Sequence, residues 1–116
     1  MKKIKVNHPD RDPGFVTGAY SQAAVDFKTS KFILGTIEEE TTTTLNNIKA
    51  IIEAAGGSMD DVVKCTVHLS DISEFDHYNK VYATYFPNIK PARTTVQSVL
   101  AEGIKVEIDC IAKLTI

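Results

Sequence analysis

The sequence has no excess of positive charge: 13 lysines and arginines stand against 15 aspartates and glutamates, a formal net charge of −2 over 116 residues. The basic field that gathers phosphates is therefore missing, which argues against a nucleic-acid partner. Cysteine is scarce. Cys65 and Cys110 both fall on the apolar side of alternating segments and share no Cys-x-x-Cys spacing, so they read as buried free thiols of a reducing compartment. The three histidines, His8, His68 and His77, show no ligand spacing with one another or with the cysteines, and no metal site is expected. No glycine-rich loop opens a helix to cradle phosphate, since Gly56-Gly57 closes one. No serine sits in a nucleophile elbow. No apolar stretch is long enough to cross a membrane, and Lys2, Lys3 and Lys5 do not lead into a signal peptide, so a cytoplasmic protein is expected. An enzyme of this composition works without a cofactor and without a covalent intermediate.

What is present is one domain, residues 1–116, with a core that buries roughly two-thirds of the unfolded chain's surface. Lys3 to Asn7 reads as a short strand, followed by a polar loop with two prolines. Ala24 to Phe27 and Lys31 to Leu34 form a hairpin around Lys28-Thr29-Ser30. Glu38 to Ala55 is a helix with Leu45, Ile48, Ile52 and Ala55 on one face. Thr36 and Glu39 make its capping box, and Gly56-Gly57 its left-handed stop. The run Glu38-Glu39-Glu40 suits the positive end of the helix dipole and needs no partner. Val62 to Leu69 is a strand that turns Val63, Cys65, Val67 and Leu69 one way and Lys64, Thr66 and His68 the other. Ser73 caps a second helix, Glu74 to Phe86, which Pro87 stops. Its stripe of Phe75, Tyr78, Val81, Tyr82, Tyr85 and Phe86 reads as core.

A strand follows the stiffened turn at Pro91, and another runs from Ile104 to Ile116, with Val106, Ile108, Cys110 and Ala112 on its apolar side. The order β-β-β-α-β-α-β-β predicts an α+β fold, with two helices on one face of a mixed six-stranded sheet. The opposite face would carry Lys64, Thr66, His68, Arg93, Thr95, Gln97, Glu107, Asp109 and Ile111. It is either solvated or covered by another subunit, and a homo-oligomer with clefts between chains is expected.

Two residues on that face bear chemistry. Arg93 offers a planar fork that grips a carboxylate, and Glu107, an acid in mid-strand, can hold or deprotonate a water. Spacing alone favours the plainer reading, an exposed ion pair worth about 0–1 kcal/mol.

Longer motifs bear on that choice. Gly18-Ala19-Tyr20-Ser21-Gln22-Ala23, Glu53-Ala54-Ala55-Gly56-Gly57-Ser58, Asp61-Val62-Val63-Lys64-Cys65-Thr66-Val67 and Tyr78-Asn79-Lys80-Val81-Tyr82 occur in order. They are followed by Pro91-Ala92-Arg93-Thr94 and Val106-Glu107-Ile108-Asp109-Cys110-Ile111-Ala112. Together they resemble the RidA/YjgF family over nearly the whole chain. The resemblance implies a chorismate-mutase-like fold and a homotrimer with clefts between subunits. It also implies hydrolysis of reactive 2-imino acids or their enamine tautomers to 2-keto acids and ammonia. By the same resemblance Arg93 binds the substrate carboxylate and Glu107 holds the attacking water. Tyr20, Gly35 and Thr95 contribute to the substrate site.

Three departures stand out: Leu34-Gly35-Thr36-Ile37 replaces a longer Ser-Gly-Gln-Ile-Pro loop bordering the cleft, Ala19 replaces a proline, and Leu100 to Gly103 is short. The shortened loop favours an alternative, a non-catalytic trimer that holds small carboxylates in the same cleft.

Overall fold

The first helix begins where the sequence supplies donors and acceptors for its open end. In the computed structural model, which describes residues 23–26, 28, 29 and 31–114, α1 spans Ile37–Ala54. The Thr36 hydroxyl accepts from the Glu39 backbone N–H (3.1 Å), and the Glu39 carboxylate accepts from the Thr36 N–H (3.0 Å). The capping box thus satisfies two of the backbone groups a helix start leaves open. Thr41 to Thr44, poor helix formers by propensity, each return their hydroxyl to the carbonyl four residues earlier. At the far end Gly56 has φ +90°. Its N–H bonds the Glu53 carbonyl and that of Gly57 bonds the Ile52 carbonyl, both at 3.0 Å, the double closure that a left-handed glycine permits. Thr36→Ala is expected to lower unfolding stability by about 1 kcal/mol, read as a smaller midpoint at unchanged slope in urea.

The remaining elements are β1 (Val25–Asp26), β2 (Lys31–Phe32), β3 (Val62–Leu69), α2 (Phe75–Thr84), β4 (Ala92–Gln97) and β5 (Val106–Ala112), with single 3-10 turns at Met59–Asp61, Ile72–Glu74 and Ala101–Gly103. This is an α+β chain. Its described strands form an antiparallel β1–β2 pair and a separate mixed sheet of order β4-β3-β5, parallel on one side of β3 and antiparallel on the other. The strand expected at Lys3 to Asn7 lies outside the described residues.

The core is a layer between the helices and β3/β5: Leu45, Ile48 and Ile52 of α1 and Tyr78, Tyr82 and Phe86 beside or within α2, against Val62, Cys65, Val67, Leu69, Val106 and Ile108. The aromatic stripe is core, as its period predicted. The second helix starts differently from expectation. Asp71, not Ser73, is the cap: its carboxylate accepts from the Ser73 N–H (2.9 Å) and hydroxyl (2.7 Å), so a 3-10 turn comes first and α2 opens at Phe75.

Two expectations about sheet faces are corrected. Val63 does not share the apolar face with Cys65: a bulge between Val62 and Lys64 sends Val62 inward and leaves Val63 half exposed, because the inserted residue resets the alternation. Arg93, Thr95 and Gln97 do not lie on the uncovered face. The parallel register pairs Arg93 with Cys65, Thr95 with Val67 and Gln97 with Leu69, so all three face the helices. The uncovered face instead carries Ala92, Thr94 and Val96 with Lys64, Thr66, His68, Glu107, Asp109 and Ile111; Lys64 Nζ donates to Thr94 Oγ1 across it (2.8 Å).

Candidate active site

Arg93 leaves the edge strand β4 towards α2 and lies over three of its rings. The guanidinium carbon is 4.6 Å from the centre of Tyr82, 5.3 Å from Phe75 and 5.8 Å from Tyr78, an arrangement in which the electron-rich faces of the rings attract the cation. Nη1 donates to the Asn79 amide oxygen at 2.6 Å and more weakly to the Tyr78 hydroxyl at 3.5 Å. No carboxylate lies within ion-pair distance among the described residues, and Nε and Nη2 make no hydrogen bond there. The result is a half-buried fork, fixed on one side and with donors that no described residue engages.

The surroundings are polar although closed. Burial pushes the Tyr78 hydroxyl up to about 12 despite the Arg93 charge beside it, and pushes Tyr82 higher still. Both phenols therefore stay neutral at any physiological pH and serve as donors or acceptors, not bases. The Tyr82 hydroxyl and Thr95 Oγ1 are buried and have no hydrogen-bond partner among the described residues. Thr95 lies two residues beyond Arg93 on the same strand face.

Glu107 stands on the other side of the sheet, half-buried on the uncovered face and paired in register with His68. His68 Nδ1 is itself tied to Ser98 Oγ at 2.8 Å. Within the described residues the Glu107 carboxylate has no hydrogen bond or ion pair. Within one chain, then, Arg93 and Glu107 face different spaces. Any site that uses both must take them from two chains.

Gly35 lies between β2 and α1, and its N–H donates to Glu40 Oε2 (3.2 Å). A Cβ there would meet the Glu39 side chain at 3.1–3.3 Å. Tyr20 lies outside the described residues.

Sequence reasoning missed two partners. Asn79, which aims Arg93, is one residue off the aromatic stripe, and only its place in the motif Tyr78-Asn79-Lys80-Val81-Tyr82 marked it. Glu40 is more than a dipole residue, contrary to the reading that the acidic run needs no partner. It is buried, 1 % exposed, and gathers the Lys105 N–H (2.8 Å), the Lys105 ammonium (3.2 Å) and the Gly35 N–H (3.2 Å). It thereby ties the Gly35 turn to the start of the strand that carries Glu107.

Other chemistry is sparse. No group of three or more His, Cys, Asp or Glu among the described residues could hold a metal ion, and no helix there is long and apolar enough to cross a membrane. An open groove of about 720 Å³ runs between α1 and α2 past Lys49, Asp60, Tyr85 and Asn88, and includes none of the candidate residues.

The fold and these residues place the chain among known proteins. Residues 15–114 match the family described as Endoribonuclease L-PSP, and the chain belongs to that family. A RutC family protein of Pyrococcus horikoshii is 46% identical over 99 residues, 84% of this chain and 76% of that protein. Reactive Intermediate Deaminase A, chloroplastic, of Arabidopsis thaliana is 41% identical over 88 residues, 75% of this chain and 47% of that protein. Among solved structures, E. coli TdcF with bound serine superposes with a TM-score of 0.83 at 28% identity, covering 97% of this chain and all of that one.

Proposed function

We propose that this protein hydrolyses reactive 2-imino acids, or their enamine tautomers, to 2-keto acids and ammonia, in clefts between the subunits of a homotrimer. The observation that carries the reading is the Arg93 fork: half-buried, aimed by Asn79, stacked on Tyr82, and unpaired with any described carboxylate. Such a group recognises a substrate carboxylate in bidentate fashion, worth on the order of 1.5–3 kcal/mol. Glu107 of the adjacent subunit faces the same cleft, holds a water against C2 of the imine and takes its proton as the C–O bond forms. Glu107 then returns that proton to the nitrogen of the tetrahedral carbinolamine, the C–N bond breaks to release ammonia, and the hydroxyl proton is lost as the carbonyl of the keto acid forms. An imine is already electrophilic, so placement and proton transfer, typically worth about 10²–10⁴ in rate, suffice. Thr95 and Gly35 line the cleft, and the family resemblance assigns Tyr20 to the same substrate site. The Gly35 N–H is spent on Glu40, so its part is to leave room where a side chain would press on Glu39.

The relative named as a reactive intermediate deaminase supports the reaction class; the structure with bound serine supports a small amino-acid-like ligand. The test is keto-acid release when 2-imino acids are generated in situ. Wild type accelerates it, and Glu107→Gln lowers kcat by about 10²-fold or more while KM changes little. No acceleration by wild type contradicts the proposal.

A second reading rests on the same Arg93 geometry: a non-catalytic trimer that binds small carboxylates. It predicts keto-acid binding by calorimetry without turnover, and Glu107→Gln leaving affinity unchanged.

A further inference from the structure

Behind Arg93 the sheet carries a row that the proposed reaction does not use. The register sets Cys110 of β5 directly opposite Cys65 of β3, and Cys65 beside Arg93 of β4, all on the helix-packed face. The two cysteines are free, and their sulfurs are 3.1 Å apart. We propose that Cys65 and Cys110 are a reversible redox pair that closes a cross-strand disulfide on exposure to a peroxide.

The backbone already suits the bond. Directly opposed residues of an antiparallel pair have Cα atoms about 4.5–5.5 Å apart, inside the range of about 4.4–6.8 Å that a disulfide spans. The sulfurs need approach by only about 1 Å to reach bonding distance, a movement within reach of side-chain rotation. The two thiols are also unequal. Their mutual hydrogen bond holds Cys65 below the usual thiol range against the effect of its burial, helped by the charges of Lys64 and Arg93; the same contact, with burial, pushes Cys110 up. Cys65 is fully buried, whereas Cys110 is half-buried, so a small oxidant reaches the pair from the Cys110 side. Hydrogen peroxide, little larger than water, is of that class.

The chemistry closes in two steps. The Cys65 thiolate attacks one peroxide oxygen, the O–O bond breaks, and the departing hydroxide takes up a proton, leaving a sulfenic acid and water. The Cys110 sulfur then attacks the Cys65 sulfur, the S–O bond breaks, and the hydroxyl leaves as a second water with the Cys110 proton. The two sulfurs lose two electrons to the peroxide. A thiol reductant reverses the change.

Buried cysteines are more often inert packing residues, and the experiment separates the two roles. The full-length folded chain is treated with hydrogen peroxide, denatured, alkylated and weighed intact. The expected result is loss of about 2 Da and of both alkylation sites, restored by dithiothreitol. Cys110→Ala should abolish the loss and instead leave an oxygen adduct on Cys65 that dimedone traps. Cys65→Ser, a second variant for the case in which Cys110→Ala folds poorly, should leave Cys110 alkylatable after peroxide. Two reactive thiols in treated wild type, or a disulfide that joins two chains, would overturn the proposal. None of these readouts depends on imine turnover, so the redox pair and the deaminase reading fail separately.

Discussion

Arg93→Ala is expected to lower kcat/KM for 2-imino acids by about 10²-fold, the loss of a bidentate charge-assisted contact worth roughly 1.5–3 kcal/mol. Arg93→Lys should recover little of it. An ammonium is a point charge without the planar fork, and it cannot keep the stacking on Tyr82 and the Asn79 contact while also clasping a carboxylate. Part of the alanine effect will be structural, because the guanidinium covers three rings of α2. Circular dichroism and the melting temperature separate the two contributions. A folded Arg93→Ala protein that keeps wild-type kcat/KM contradicts the assignment. Asn79→Ala offers a finer check. It leaves the charge but frees its aim, so it should raise KM more than it lowers kcat.

The largest stability effect is expected at Glu40. Its carboxylate is sealed in the core and satisfies two backbone N–H groups and the Lys105 ammonium. Removing one member of a buried pair costs about 3–5 kcal/mol. The Lys105 side chain is 34% exposed and regains water, so the lower end, about 3 kcal/mol, applies to Glu40→Ala; most of it is the two stranded amides. For a domain of this size that lowers the melting temperature by more than about 10 °C. Glu40→Gln keeps an acceptor but turns an amide donor towards other donors, and should fall between wild type and alanine. A Glu40→Ala protein within about 1 kcal/mol of wild type would show that the cluster is not the tie described here.

Much of this architecture was legible in the chain because local rules decided it. The Thr36/Glu39 box, the Gly56-Gly57 stop and the aromatic stripe of α2 each depend on residues a few positions apart, and each lies where its pattern put it. The faces of β4 were not legible. Arg93, Thr95 and Gln97 alternate with Thr94, Val96 and Ser98, and neither set is apolar enough to say which one turns to the core. Only the long-range register with Cys65 and Val67 settles it. The bulge at Val63 was hidden for a related reason, since Val62 and Val63 are equally fit for burial. Glu40 was hidden because its partners are contributed by Gly35 and by Lys105, 65 residues away. The motifs marked Arg93 and Glu107 as residues of one site; they did not reveal that a single chain turns them to opposite sides of its sheet.

That opposition makes the proposed trimer the decisive object. Arg93→Ala and Glu107→Gln proteins, each inactive alone, are to be unfolded together in equal amounts, refolded, and assayed for 2-imino acid hydrolysis. If each cleft takes its arginine from one subunit and its glutamate from the next, the refolded mixture regains about a quarter of wild-type activity, the chance that both donors in a cleft are intact. If the mixture forms mixed trimers and stays as inactive as its parents, the two side chains do not meet between subunits, and the proposed site is wrong.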